Sequence, residues 1–349
     1  MALDRATIAE LDPGCLLDDV LGLPEQLADA LWRVGSAALE PFDTPGGLVV
    51  AGMGGSAVGG ALALAVLGDR ASRPIVLARS YGLPPWTSPD TTVLCASYSG
   101  ETEETLACYE SAGALGARRV VVTTGGRLGE LARADGVPVI PIPGGFQPRA
   151  ALAYLLVSTL EVAAQAGAAP RLAAEIDVAA AHLGRLIAGW GPDAAEDSLA
   201  KSLARALHGT VPLIAGASLT APIAYRWKTQ INENCKLPAF AGELPELDHN
   251  EIAGWGGAAG LAPFSAIFLD DCDLHPRLRA RIELTKAAVA PAARHSATVE
   301  SVGTTALERV CSLVLLGDLV SVYLAILTGV DPTPVAALDA IKRALAARE

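Results

Sequence analysis

The sequence lacks the residue patterns that mark several common classes of function. No two of its six cysteines (Cys15, Cys95, Cys108, Cys235, Cys272 and Cys311) stand as Cys-x-x-Cys, so neither a zinc ribbon nor a disulfide framework is signalled. They read as small buried hydrophobes. The five histidines (His182, His208, His249, His275 and His295) offer no His-x-His or His-x-x-x-His spacing, and no metal site is expected. There is no Gly-Lys-Ser or Gly-Lys-Thr, which excludes a Walker A loop. Lysine is rare, 5 of the 26 basic residues, and 38 acidic residues leave a formal net charge of −12. A chain so short of positive charge has no basic face for broad nucleic-acid binding, although a helix N-terminus can still hold a small anion. The first residues, Met1 to Arg5, lack the basic and apolar regions of a signal peptide. Apolar runs such as Leu319–Val330, 12 residues, are too short to span a membrane. A soluble, cytoplasmic protein with no membrane partner is expected.

What the chain does have is length and apolar content. Its 349 residues are 51% hydrophobic, with mean hydropathy +0.38, enough for about two domains with sizeable cores. Residues 13–40 read as an amphipathic helical lead. Short β-branched segments then alternate with helical patterns. Candidate strands are Leu48–Ala51, Pro74–Ala78, Thr92–Ala96, Arg119–Thr123 and Pro138–Ile142, with helices at Ser56–Leu67, Glu101–Ala114 and Ala150–Ala163. After a linker-like stretch, Ala164–Arg171, and a helix at Leu172–Leu186, the alternation restarts. Its candidate strands are Val211–Ala215, Ser265–Leu269 and Ala297–Ser301, with helices near Thr220–Asn232, Arg277–Ala290 and Thr304–Leu327. Continuous apolar strands between helices point to parallel sheets covered on both faces. The expected division is a lead at 1–45, one α/β domain at 46–165 and a second at 166–349. An internal echo supports a common plan: Val49-Val50-Ala51-Gly52 leads to Ser56 and a helix, as Leu213-Ile214-Ala215-Gly216 leads to Ser218 and a helix.

Four segments and one arginine could carry chemistry. Gly52-Met53-Gly54-Gly55-Ser56-Ala57 partly imitates a dinucleotide fingerprint, but no acidic residue stands near Leu77–Ser80, where one is expected. Tight strand-to-helix packing accounts for the glycines equally well. Ser97-Tyr98-Ser99-Gly100-Glu101-Thr102 opens a helix with more hydroxyls than a cap requires, which suits a phosphate monoester. For that, Glu101, Glu103 and Glu104 must point away. Asn232-Glu233-Asn234 ends a helix next to the apolar Leu237-Pro238-Ala239-Phe240. A carboxylate partly buried there has its pKa raised toward values useful to a general base, whereas a helical Glu is ordinarily a solvated surface residue. Leu247-Asp248-His249-Asn250-Glu251 is a polar turn in which a histidine is usually structural or exposed. Arg149, between Pro148 and a helical run, either binds an anion or lies on the surface.

In this order, the segments Gly52–Ser56, Ser97–Thr102, Asn232–Asn234 and His249–Glu251 resemble those of the bifunctional phosphoglucose/phosphomannose isomerase family, proteins built from two sugar isomerase (SIS) domains. The similarity runs from about Gly47 to the end and includes Ile341-Lys342-Arg343, which is similar to the family's terminal helix. The Glu233-to-His249 block, spaced by 16 residues and with its histidine in Leu-Pro-Glu-Leu-Asp-His-Asn-Glu, is its most specific part. The resemblance implies an α/β fold of two doubly wound SIS-type domains, each a parallel sheet flanked by helices. It implies a hexose 6-phosphate substrate and exchange of glucose or mannose 6-phosphate with fructose 6-phosphate, with no metal or redox cofactor. Ser97, Ser99 and Thr102 would hold the phosphate, and Gly54, Gly55 and Ser56 would line the sugar. Glu233 would move the proton between C1 and C2, Arg149 would stabilise the enediolate, and Lys342 would contact the sugar. His249 would open the ring from the partner subunit of a homodimer, carried on Pro238–Pro245, which reads as an extended arm. Thr333 is the nearest candidate for the family's C-terminal hydroxyl. The alternatives are an SIS isomerase of an aminosugar or heptose phosphate, or a non-catalytic sugar-phosphate sensor. A sensor needs the hydroxyl pocket but not Glu233.

Overall fold

In a computed structural model, which describes Met1–Arg348, the lead forms three helices: α1 (Arg5–Leu11), α2 (Leu16–Leu21) and α3 (Leu23–Ser36). The first sheet follows, with β1 (Leu48–Ala51), α4 (Gly54–Leu67), β2 (Ile75–Ala78), β3 (Thr92–Ala96), α5 (Glu103–Ala114), β4 (Arg118–Thr123), α6 (Gly126–Ala134) and β5 (Val139–Pro141). Helices α7 (Leu152–Gln165), α8 (Ala173–Trp190) and α9 (Leu199–Leu207) connect to the second sheet. That sheet comprises β6 (Val211–Ala217), α10 (Ala221–Cys235), β7 (Phe240–Leu244), α11 (Trp255–Ala258), β8 (Phe264–Asp270), α12 (Pro276–Val289) and β9 (His295–Glu300). Helices α13 (Ala306–Thr328) and α14 (Ala336–Ala346) close the chain.

Both sheets are parallel throughout, in the orders β2-β1-β3-β4-β5 and β7-β6-β8-β9. Four strands of each therefore follow the same path, and the sequence echo falls on the equivalent first strands, β1 and β6. Every residue of β1 and β3 is buried, as a strand covered on both faces requires. The helix pairs covering the sheets also correspond. A Cβ on Gly59 of α4 would lie 2.5 Å from the Leu155 Cβ of α7. A Cβ on Gly317 of α13 would lie 2.1 Å from Trp227 Nε1 of α10, whose indole donates to the Leu313 carbonyl at 2.8 Å. Bare glycine backbone lets each pair approach.

Two expectations change. The segment expected as an extended arm contains β7, an edge strand paired with β6 from Leu213↔Phe240 to Ala217↔Leu244. Its backbone is extended because it completes a ladder, with Gly242 and Leu244 turned inward. The apolar run at Leu319–Val330 belongs to the 23-residue α13, with mean hydropathy 2.3, which by length and composition alone is sufficient to cross a membrane. Its apolar window is 94% buried within the protein, so it serves as a core helix. Its charges are paired internally: Asp318 with Arg226, and Arg309 with Asp271.

Candidate active site

The site lies beyond the carboxyl ends of the first sheet's strands, where ligands of open parallel sheets bind. After β3, Ser97 Oγ and Thr102 Oγ1 share a hydrogen bond of 2.8 Å, and the Gly100 N–H donates to Ser97 Oγ at 3.1 Å. Thr102 occupies the N-cap position of α5, yet its side chain accepts from no backbone N–H of that helix. The hydroxyls therefore face one another inside the turn and leave the first N–H groups of α5 to another acceptor. Thr105 Oγ1, buried in the first turn, has no partner among the described residues. Two of the three glutamates do point away: Glu101 accepts from the Arg127 N–H at 2.7 Å, and Glu103 accepts from the Tyr81 hydroxyl at 3.0 Å.

Gly54 opens α4 with φ +53, Ser56 is buried one turn in, and the helix has no side-chain cap. Gly55 has an additional reason to be glycine. A Cβ there would lie 2.9 Å from the Pro148 carbonyl and 3.3 Å from Arg149 Cα. The glycine-rich turn is thus shaped around the loop that carries the arginine.

Arg149 is 4% exposed. Its Nε donates to Asn234 Oδ1 at 2.7 Å and its Nη1 to Gln147 Oε1 at 3.3 Å. Nη2 donates to the carbonyls of Pro332 and Thr333 at 2.8 and 2.9 Å. Four of its five N–H groups are committed among the described residues, and the remaining one is on Nη1, which stands 3.6 Å from Glu233 Oε2. Burial pulls the guanidinium below its ordinary pKa, while Glu233 opposes that shift. Behind it, Arg226 binds Asp318 at 3.0 and 2.6 Å and donates to the Arg149 carbonyl at 3.1 Å.

The end of α10 supplies the carboxylate. Glu233 is partly exposed, and the amides flanking it fix the turn: Asn232 donates to the Leu237 carbonyl and Asn234 to Ser321 Oγ, both at 2.8 Å. The chain therefore brings together the Gly54–Ser56 turn, the Ser97–Thr102 turn, Arg149 and Glu233. It does not bring His249. His249 follows β7, in a turn that folds back on the strand so that Leu247 and Glu251 lie against Gly242, and no hydrogen bond or ion pair joins it to Glu233 or Arg149 among the described residues. His249 is exposed and forms no side-chain hydrogen bond among the described residues. Lys342 is likewise exposed on α14, without a hydrogen bond or ion pair among the described residues. The Thr333 hydroxyl turns toward Asp12, 3.4 Å away, in the lead.

The sequence reading named Lys236 only as the end of the Asn232–Lys236 segment, and it missed Asp19. Lys236, just past α10, donates to the Glu233 carbonyl at 2.7 Å and to Pro332 at 2.9 Å. Asp19 of α2 lies against the Gln147 backbone N–H, and burial raises its carboxyl pKa to about 6. Both act across long sequence separations that no local pattern reveals.

The equivalent turn of the second sheet differs. Beyond β8 stand Asp271, Cys272 and Asp273, whose ligand atoms all lie within 4.8 Å of one another. Arg309 takes both carboxylates, at 2.8 and 2.5 Å, and Ser301 donates to Asp271 at 2.7 Å. Acidic groups occupy this turn where the first sheet has hydroxyls.

The family described as bacterial phospho-glucose isomerase C-terminal SIS domain matches residues 196–345. A protein of Caldicellulosiruptor bescii named bifunctional phosphoglucose/phosphomannose isomerase is 38% identical over 339 residues, covering 95% of this chain and 99% of the relative. One of the same name from Aquifex aeolicus is 35% identical over 315 residues, 90% of this chain and 94% of its own. Among solved structures, a hypothetical protein from Thermus thermophilus superposes with a TM-score of 0.75. The match covers 99% of this chain and 93% of that one, at 17% identity.

Proposed function

The chain belongs to the bifunctional phosphoglucose/phosphomannose isomerase family, and from that premise we propose that it interconverts glucose 6-phosphate and mannose 6-phosphate with fructose 6-phosphate through a cis-enediol, as a cytoplasmic enzyme. Ser97, Ser99 and Thr102, with the N–H groups of α5, hold the phosphate. Gly54, Gly55 and Ser56 lie along the sugar. Glu233 removes the proton from C2 of the open-chain aldose and returns it to C1. The charge that develops on the enediolate oxygen is met by the uncommitted N–H of Arg149.

The observation that carries this reading is the 3.6 Å approach of Glu233 to Arg149. A carboxylate beside a guanidinium is the arrangement that proton transfer next to a developing oxyanion requires, and it supports the reading of Glu233 as the base. A positioned base contributes roughly 10²–10⁴-fold and an oxyanion donor about 3–4 kcal/mol. The chemistry needs no electron acceptor, because the substrate is oxidised at one carbon and reduced at its neighbour. Phosphate binding far from those carbons orients them. His249 opens the sugar ring from the partner subunit of a homodimer, and Lys342 contacts the sugar. The exposure of His249, which makes no side-chain hydrogen bond among the described residues, supports that sharing.

The test is a coupled assay of the purified protein on glucose 6-phosphate and mannose 6-phosphate, beside Glu233→Gln. Both sugars are expected to turn over, and the variant to lose at least about 100-fold in kcat with little change in KM. Turnover of neither sugar by the unaltered protein overturns the reading. Near-normal turnover by the variant removes Glu233 from the mechanism.

A further inference from the structure

Arg149 sits near the end of a loop, residues 143–151. Gly144 and Gly145 are exposed, and Gly145 adopts φ +100. The Phe146 ring packs against Tyr154 with centroids 5.9 Å apart. The Phe146 N–H donates to the Tyr98 phenol oxygen at 2.9 Å. Among the described residues, this is the one hydrogen bond joining the Ser97–Thr102 turn to the arginine loop. Tyr98 is itself fixed, because its carbonyl accepts from both the backbone N–H and the hydroxyl of Thr124, at 3.1 and 2.8 Å. Its neighbours in sequence are the two serines proposed to hold phosphate.

We propose that Tyr98 is a positioning residue that couples phosphate binding to the placement of Arg149, through its phenol and the Phe146 backbone N–H. The inference rests on the assignment of phosphate to the Ser97–Thr102 turn and of the enediolate to Arg149. An anion seated between Ser97 and Ser99 fixes the backbone on either side of Tyr98. The phenol transmits that position to Phe146, three residues before the arginine. Binding energy collected at the phosphate is then expressed as orientation at the reacting carbons, which raises kcat rather than lowering KM. The hydroxyl itself is what the coupling requires. A role in packing alone would be met by phenylalanine.

Tyr98→Phe keeps the ring and deletes the link. With glucose 6-phosphate, kcat is expected to fall between about 10- and 100-fold, while the inhibition constant of inorganic phosphate stays within about twofold of the unaltered protein. Retained phosphate inhibition also shows that the pocket has folded. In an Arg149→Lys background the same change is expected to cost less than about twofold, because a residue acting through Arg149 has little left to position. Unchanged kcat in Tyr98→Phe overturns the proposal. So does a fall in kcat matched by weaker phosphate binding, or an undiminished loss in the Arg149→Lys background. Absence of isomerase activity in the unaltered protein would instead overturn the assignment of function on which the proposal rests.

Discussion

Lys236 and Arg149 donate to the same oxygen: the Pro332 carbonyl accepts from Lys236 Nζ at 2.9 Å and from Arg149 Nη2 at 2.8 Å. Two cations converge there because one sits on the cap of α10 and the other on the loop after β5. The shared acceptor lies in the segment that leads into α14. Lys236 has the left-handed φ of +57 and returns its amine to the carbonyls ending its own helix, where a cation also meets the negative end of the helix dipole.

Lys236→Met leaves the Glu233 carbonyl without that donor and Pro332 with one tie in place of two. Stability is expected to fall by roughly 1 kcal/mol in urea unfolding. A kcat that falls while the inorganic phosphate inhibition constant holds locates the damage at Glu233 and Arg149 rather than at the hydroxyl turn. Unaltered stability and kcat together contradict a role for the shared carbonyl.

The hydroxyl turn is checked by Ser99→Ala and Thr102→Ala. Each is expected to weaken inhibition by inorganic phosphate about tenfold and to raise KM for hexose phosphates in step. Free glucose should remain a very poor substrate. Ser97 keeps the Gly100 N–H as a partner in both variants, so the turn is expected to hold its shape. Equal turnover of free and phosphorylated sugar would remove the phosphate from this turn.

Subunit mixing tests the origin of His249. Glu233→Gln and His249→Ala, each inactive alone, are denatured together and refolded. If the histidine serves the partner's site, a mixed dimer has one doubly defective site and one intact site. With about half the dimers mixed, roughly one quarter of the original activity returns. No recovery from verified dimers places His249 in its own chain's site or outside catalysis.

Asp19 gives a pH signature. Burial, together with the like charges of Asp12 and Asp18, raises its carboxyl from the ordinary 3.8 to about 6 in the folded protein. The folded state therefore holds this proton more tightly than the unfolded chain does. The stability linked to it is present below about pH 4 and lost as pH rises through about 6. Asp19→Asn keeps an acceptor facing the Gln147 N–H and removes the charge. Its Tm should exceed that of the unaltered protein at about pH 7.5, and the difference should vanish near pH 4. A gain of equal size at both pH values would rule out ionisation as its cause.

Much of the scaffold could be read from the sequence, because buried parallel strands are written as unbroken apolar runs. Leu48–Ala51 and Thr92–Ala96 match β1 and β3 residue for residue. The strand β7 was hidden because Pro238, Gly242 and Pro245 punctuate it, and an edge strand needs only one partner. Helices α6 and α9 are amphipathic, but at nine residues each they are too short to stand out from the segments around them. Gly54, Ser97, Thr102, Arg149 and Glu233 were recoverable as motifs, and Arg149 and Glu233 stand 3.6 Å apart in the structure. The ties from Tyr98, Asp19, Lys236 and Asn234 were not recoverable, since each depends on residues distant in sequence meeting across the fold.

Helix α10 begins at the carboxyl end of the second sheet and ends at the carboxyl end of the first. The two halves share a strand path but have divided the labour. The first carries the hydroxyl turn, while the second has Asp271 and Asp273, both held by Arg309, in its equivalent turn and brings Glu233 to 3.6 Å from Arg149. On the roles proposed above, a chain severed between α7 and α8 yields one fragment with the anchor and no base, and another with the base and no anchor.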